Sequence, residues 1–442
     1  MTPVAAALAL GVGILTVGQA AWAEDVPLTL AEALALAEKG NPELLAAAAR
    51  VEAQRARADS VRRSRWPRAS LQMAWSRSDL PAGVFANKLN SGQFAAADFE
   101  LDSLNDPAAL DHLGTSLQLE LPIDVFGKVG NLASAMTAHG DAAAAGTGDA
   151  TQEVRARVVE AYRQSEVAAR AVSVTERALA VAQAREREIE ARVEAGGALK
   201  ADLLRARARR REREAELAER RSRERMALAG LARLLGAPDG TSYAPTEAPP
   251  TVVPLVGEEA AWVARALRQR PILEAARRKQ DAAAAATKHE RSGILPDLGA
   301  FGQLWDNRIS AGDGSQAWAV GVGLRWTPLD PGRSKRRAAA SADERAAELD
   351  LRAAADQVRF EVQLAYRRAT SARERHAAAI GGAEEGREAL RVVQERRQAG
   401  VATLTDELET ESAALGAVLS EITAAAEVAM ADAALRRAAG EI

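Results

Sequence analysis

The residues that most often carry chemistry are scattered through this chain. His112, His139, His289 and His376 stand far apart, with no H-E-x-x-H pairing, and the absence of cysteine removes thiolate nucleophiles, thiolate metal sites and disulfides. Gly127-Lys128 is followed by Val129 instead of Ser or Thr, so it is no phosphate-binding loop, and no G-x-S-x-G elbow occurs. Carboxylates are plentiful but fall on helix surfaces and form no convergent pair. The sequence therefore offers no catalytic, cofactor or metal site, and an enzyme is not expected. Between Lys200 and Arg225 stand eleven basic and six acidic residues, including Arg209-Arg210-Arg211. Without interleaved aromatics to stack on bases, this run reads as a solvated helix face laced with ion pairs, and no nucleic-acid partner is expected.

What remains must come from architecture. The 442 residues are rich in Ala, Arg, Glu and Leu and hold only three Tyr and six Phe, the profile of a chain dominated by long helices. A net charge of −3 exerts no overall pull toward polyanions. Val4 to Gly18 is an apolar stretch of signal-peptide length, followed by Ala21-Trp22-Ala23 as an A-x-A cleavage pattern. Export with cleavage after residue 23 is expected, although no Lys or Arg precedes Val4; an uncleaved N-terminal anchor is the alternative. No later segment approaches the ~20 apolar residues of a spanning helix, so any later membrane crossing is expected to be made by strands.

The chain repeats itself. Asn41-Pro42-Glu43-Leu44 matches Arg270-Pro271-Ile272-Leu273 at an offset of 229, as Arg65-Trp66-Pro67 matches Ile294-Leu295-Pro296. Val154-Arg155 with Ala161-Tyr162 matches Val358-Arg359 with Ala365-Tyr366 at 204. The lost length falls between Trp75 and Leu119, so the first half carries a longer loop, Leu80 to His112, with five acids (Asp98, Glu100, Asp102, Asp106, Asp111) against Lys88. Domains are expected as a signal peptide at 1–23, a first repeat at 24–237, a Pro-rich linker at 238–257 and a second repeat at 258–442. Each repeat reads as helix, strand, loop, strand, very long helix, tight turn, returning helix. Long helices are expected from about Gly130 to Glu194 and Ser334 to Gln398, each roughly 100 Å at 1.5 Å per residue. Turns at about 195–199 and 399–402, around Gly196-Gly197 and Gly400, return the chain into helices over about Lys200 to Leu235 and Thr403 to Ala439. Helices over about Leu28 to Arg65 and Glu258 to Ser292 would stack end to end with them.

Strands are expected at about 68–78, 113–123, 296–307 and 316–326. Leu113, Thr115, Leu117, Leu119 and Leu121 alternate with polar or small residues, as do Trp318, Val320, Val322, Leu324 and Trp326. Their length suits a tilted membrane strand, and Trp66, Trp75, Trp305, Trp318 and Trp326 are candidates for the aromatics at the lipid interface. Four strands cannot close a barrel, and open edges in lipid leave backbone groups unpaired, so such a chain must oligomerise.

This ordered duplication, with Arg397-Gln-Ala-Gly400-Val-Ala-Thr403-Leu-Thr-Asp406 and its counterpart Arg192-Val-Glu-Ala-Gly196-Gly-Ala-Leu-Lys-Ala-Asp202, resembles the TolC family of outer-membrane efflux proteins over nearly the whole mature chain. The resemblance implies a mainly α fold with a small β part: a homotrimer whose twelve-stranded outer-membrane barrel continues as a periplasmic α-helical barrel. It also implies an unlipidated passive exit duct whose tips meet a periplasmic adaptor joined to an inner-membrane pump. Gly196, Gly197, Asp202, Gly400 and Thr403 become candidates for the tip turns and adaptor contact, and Asp406 and Glu409, one helical turn apart, for an acidic constriction. Thr403 and Asp406 equally fit a helix-capping pair. Where some family members place a tip-locking Tyr, three residues before the turn glycine, this chain has Arg397, so those particular hydrogen bonds are not expected. Type I protein secretion is a second duct reading, and a soluble periplasmic coiled-coil scaffold or adaptor the reading from another class.

Overall fold

The computed structural model describes residues 26–238, 241–247, 252–309 and 314–442, so the expected signal peptide lies outside the described residues. The first half runs β1 (Val26–Leu28), α1 (Leu30–Gly40), α2 (Pro42–Arg63), β2 (Arg68–Ser78), α3 (Pro81–Asn90), a 3-10 turn (Ala96–Phe99), α4 (Leu101–Asn105), β3 (Leu110–Ile123), α5 (Lys128–Glu194), α6 (Lys200–Leu235) and β4 (Tyr243–Pro245). The second runs α7 (Glu259–Gln269), α8 (Pro271–Ser292), β5 (Asp297–Ile309), β6 (Gly314–Arg325), α9 (Arg333–Gln398) and α10 (Leu404–Ala439).

The helices expected before the strands are each broken once, at the same repeat position. A proline pushes its predecessor out of the helical region, and Asn41 and Arg270 both sit at ψ 120 ahead of Pro42 and Pro271. Both breaks are then put to use. The Asn41 side chain accepts from Glu43 N at 2.9 Å, capping α2, and donates from Nδ2 to Leu234 O at 2.8 Å, capping the C-terminus of α6. Arg270, its side chain 3% exposed, donates to Ala438 O at 3.2 Å near the end of α10 and pairs with Asp149 at 3.2 Å and Glu361 at 3.1 Å. The short helices thus meet end to end beside the long ones. At the first junction α6 ends on Gly236 at φ 67, where an added Cβ would lie 2.0 Å from Gly40 O, so only glycine fits.

Two cores lie at these junctions and use equivalent positions. Leu44, Val154, Val158 and Leu231 of the first correspond to Leu273, Val358, Val362 and Leu435 of the second. The segment expected to be a plain linker contributes β4, which pairs in parallel with β1, and Tyr162 donates to Leu28 O at 2.8 Å beneath them.

One expectation about membrane-length segments is corrected by α10. It holds an 18-residue window of mean hydropathy 1.5, long and apolar enough to cross a membrane. Its apolarity comes largely from alanine, which is why no bulky apolar run stands out in the sequence, and it packs against α9 and α5.

A four-stranded antiparallel sheet, order β2-β3-β5-β6, sits beyond one end of the helices. The helices lie in matching order, α2 on α5, α5 on α8 and α8 on α9, so every strand continues the line of its own helix. The expected loop at Leu80 to His112 is partly helical, knotted by the rings of Phe85, Phe94 and Phe99 and by Lys88 with Asp98 at 2.7 Å. That ion pair holds the Asp98 carboxyl below the usual carboxylate range.

Replacing Arg270 by Ala strips Asp149 of its cation, leaves Glu361 only Arg437 and Gln357, uncaps α10, and should lower stability by about 3–5 kcal/mol. Asn41→Ala should lose only about 1–2 kcal/mol. Hydrogen exchange at Ala431–Ala439 and at Leu231–Leu235 measures the two effects separately.

Candidate functional site

Two regions could do the work of a duct: the helical tip and the sheet. At the tip, α5 ends at Ala195 and Gly196 takes φ 73; Gly197 N then donates to Arg192 O at 2.7 Å. Gly400 takes φ 75 in the second repeat, and Val401 N donates to Arg396 O at 2.9 Å. Both turns thus bond the last helical carbonyls through a left-handed glycine. Gly197 lies outside the positive-φ set.

Beyond the turns the repeats differ. Thr403 and Asp406 form a reciprocal capping box: Asp406 Oδ2 accepts from Thr403 N at 2.8 Å and from its hydroxyl at 2.7 Å, and Thr403 Oγ1 accepts from Asp406 N at 3.2 Å. These bonds, the backbone N–H first, hold the Asp406 carboxyl below its ordinary range, so it stays anionic. Asp202 has no such cap and pairs with Arg205 at 3.3 Å. Asp406 and Glu409 are both exposed, one turn apart on α10.

Sequence reasoning passed over the neighbour between them. Glu407 is 1% exposed and bridges Arg185 of α5 to Arg397 of α9, with Glu188 on Arg185 at 2.7 Å and 3.8 Å from Arg397. A single carboxylate so ties the first helical hairpin to the second. One turn on, burial raises the Glu411 carboxyl above its usual range despite Arg213 and Arg209 nearby, and Arg213 reaches Ser412 Oγ at 3.4 Å. The signal for this layer was present: Leu404, Glu407, Leu408 and Glu411 share one helix face, which an apolar search reads as interrupted. Below it, Ile189, Leu203 and Ala206 form a small core, and a cavity of about 520 Å³ lined by Arg192, Leu199, Asp202, Arg397 and Leu404 opens between the two turns.

The sheet has two unlike faces, read from its register. Leu71, Leu117, Leu304 and Trp318 lie directly across from one another, and Met73, Trp75, Leu119, Leu121, Val320, Val322 and Leu324 share their face. The opposite face carries Gln72, Gln118, Gln303 and Ala319. Trp75 and Trp318 stand on the apolar face, 68% and 71% exposed. Trp66 and Trp326 are exposed at the helix end, where Trp326 Nε1 donates to Ile294 O at 3.0 Å. Trp305 stands apart from Trp75 and Trp318: it pairs with Ser116 and Ala317, which puts it on the polar face, one residue out of phase with Leu304. Its strand had the least regular alternation, so only register could assign its side.

The sequence profile of the outer membrane efflux proteins matches residues 33–237 and 262–441, both halves in turn. The chain belongs to this family. Outer-membrane efflux proteins are channels, and this member is an exit duct of an efflux system in the outer membrane. Its fold is also that of solved channels. A membrane protein from Pseudomonas aeruginosa superposes with a TM-score of 0.78 at 21% identity, covering 93% of each chain. The Campylobacter jejuni CmeC outer membrane channel gives 0.77 at 18% identity, over 93% of this chain and 85% of that one. The outer membrane protein VceC of Vibrio cholerae gives 0.72 at 19%, over 93% and 96%. No curated protein matches by sequence.

Glu407 and the half-buried Glu411 of this efflux protein should respond oppositely to neutralisation. Glu407→Gln leaves Arg185 and Arg397 to share Glu188 and should loosen the tip by about 2–3 kcal/mol. Amide exchange over Glu395–Glu407 should accelerate roughly 30- to 100-fold. Glu411 has a raised folded-state pKa, so its ionised form opposes folding above that pKa. Glu411→Gln should therefore slow tip exchange at pH 7, a gain that vanishes as the pH falls through the raised pKa, above 4.5.

Proposed function

We propose that three copies of this chain close their sheets edge to edge into a twelve-stranded barrel, continued across the periplasm by an α-helical barrel. The supporting observation is the sheet itself, whose one face is apolar over all four strands while β2 and β6 have no neighbour on their outer sides among the described residues. Unpaired strand edges are not tolerated in lipid, and closure on further copies removes them. Trp66, Trp75, Trp318 and Trp326 would then meet the lipid interfaces and Trp305 the lumen. Cleavage of residues 1–23 would deliver the chain for assembly.

Solutes would pass without energy input from this chain, delivered by an inner-membrane pump through a periplasmic adaptor. The adaptor would dock at the tip turns, around Gly196, Gly197, Asp202, Gly400 and Thr403, where Leu199 and Val401 are exposed beside the cavity between the turns. Asp406 and Glu409 would ring the entrance with carboxylates. The capping bonds of Asp406 all fall on Oδ2, so capping and a place in the ring are compatible.

Planar-bilayer recordings test this reading. The purified chain should conduct, and a multivalent cation added on the tip side should block it. Glu409→Gln leaves the capping box intact and should weaken that block severalfold; adding Asp406→Asn should weaken it further. Unchanged block in both variants would remove the two carboxylates from the entrance, and no conductance from folded protein would remove the duct.

A further inference from the structure

The apolar band of the sheet ends differently at its two ends. Toward the loops, Asp79, Asp98, Glu100, Asp102, Asp106, Asp111 and Asp306 stand against Arg77, Lys88 and Arg308. At the strand-to-helix junction, residues 59–68, 124–128, 290–297 and 325–337 hold eleven basic residues against five acidic ones, in a chain whose net charge is −3. The basic residues run across all four junctions: Arg62 and Arg63 closing α2 and Arg65 just after it, Lys128 opening α5, Arg291 closing α8, and Arg333, Lys335, Arg336 and Arg337 opening α9.

Helix energetics accounts for only part of this. Cations suit the C-termini of α2 and α8, whereas a helix N-terminus is the positive end of the macrodipole and disfavours them. The first turn of α9 nonetheless has no acid and carries four basic residues among its first five. Some are held locally, since Arg336 pairs with Asp330 and Glu290 and Arg333 donates to Pro328 O. The exposed side chains of Arg63, Arg291, Lys335 and Arg337 make no hydrogen bond or ion pair among the described residues. Exposed apolar groups are interleaved with them: Trp66, Val125, Phe126, Ile294, Trp326 and Leu329. Bulky apolar side chains and unpaired cations in one belt, bordering an apolar face, match the boundary between acyl chains and anionic headgroups.

We propose that this belt binds anionic phospholipid headgroups of the periplasmic leaflet, fixing the depth at which the channel sits. The inference rests on the sheet being the part embedded in the outer membrane. The probe is phosphatidylglycerol. Full-length protein is placed in nanodiscs of phosphatidylcholine alone or with increasing phosphatidylglycerol, and its melting temperature and the lipid retained after detergent extraction are measured. Wild type should melt higher as the anionic lipid increases and should retain it severalfold above its bulk share. High salt should reduce both effects. The combination Arg63→Gln, Lys335→Gln and Arg337→Gln breaks no ion pair and should bring retention down to the bulk share, because each basic residue at a charged membrane surface is worth about fivefold. The charge-matched control Arg187→Gln, Arg211→Gln and Arg225→Gln, on the tip hairpin, should behave as wild type. Equal melting and retention in both lipids for wild type, or an undiminished response in the junction variant, would overturn the proposal. Failure of folded wild type to enter discs of either composition would go against membrane embedding itself, and the proposal with it.

Discussion

A backbone N–H or C=O that leaves water must find a partner, and in lipid no water can substitute. That constraint organises this protein. Four strands satisfy one another internally but, among the described residues, leave the outer sides of β2 and β6 open, so in lipid the proposed closure on further copies is what would complete the sheet. Because each strand prolongs a helix in the same lateral order, whatever closes the sheet also brings the helices of successive copies side by side. Much of α10, apolar on most of its surface yet only partly covered within the chain, is then available for such packing.

The helices answer a related need, since a rod of roughly 100 Å cannot be held by one globular core. Each long helix is instead clamped at intervals: at the equator by the paired cores and the caps of Asn41 and Arg270, and at the tip by the layer around Glu407. Duplication preserves these tasks without preserving the residues. A neutral amide caps one returning helix and a buried guanidinium the other, and the second serves also as a bridge between repeats through Asp149 and Glu361. The repeats diverge most at the tip, where only the second has a capping box.

Much of this was legible in the sequence because it rests on periodicity and on glycine and proline. The matched residues gave the duplication, the strands showed period two, and Gly196 and Gly400 marked the turns. Prolines 42 and 271 were equally visible, yet the helices around them were read as continuous; the apolar pattern carries on across a break that the proline alone imposes. What was not legible depends on partners far away in the chain. Glu407 looks like any surface acid until Arg185, 222 residues distant, is brought against it. The side taken by Trp305 is a matter of strand register, and β4 forms only because β1 lies beside it.

Edge closure can be measured directly, since a chain without cysteine accepts engineered ones cleanly. Cysteine replacing Ser70 on β2 is combined in turn with cysteine replacing Ala317, Ala319 or Gly321 on β6, and the protein is oxidised in membranes. Closure by three copies predicts that at least one combination yields covalent dimers and trimers and nothing larger. Monomer alone in every combination, or a ladder running beyond the trimer, would contradict it.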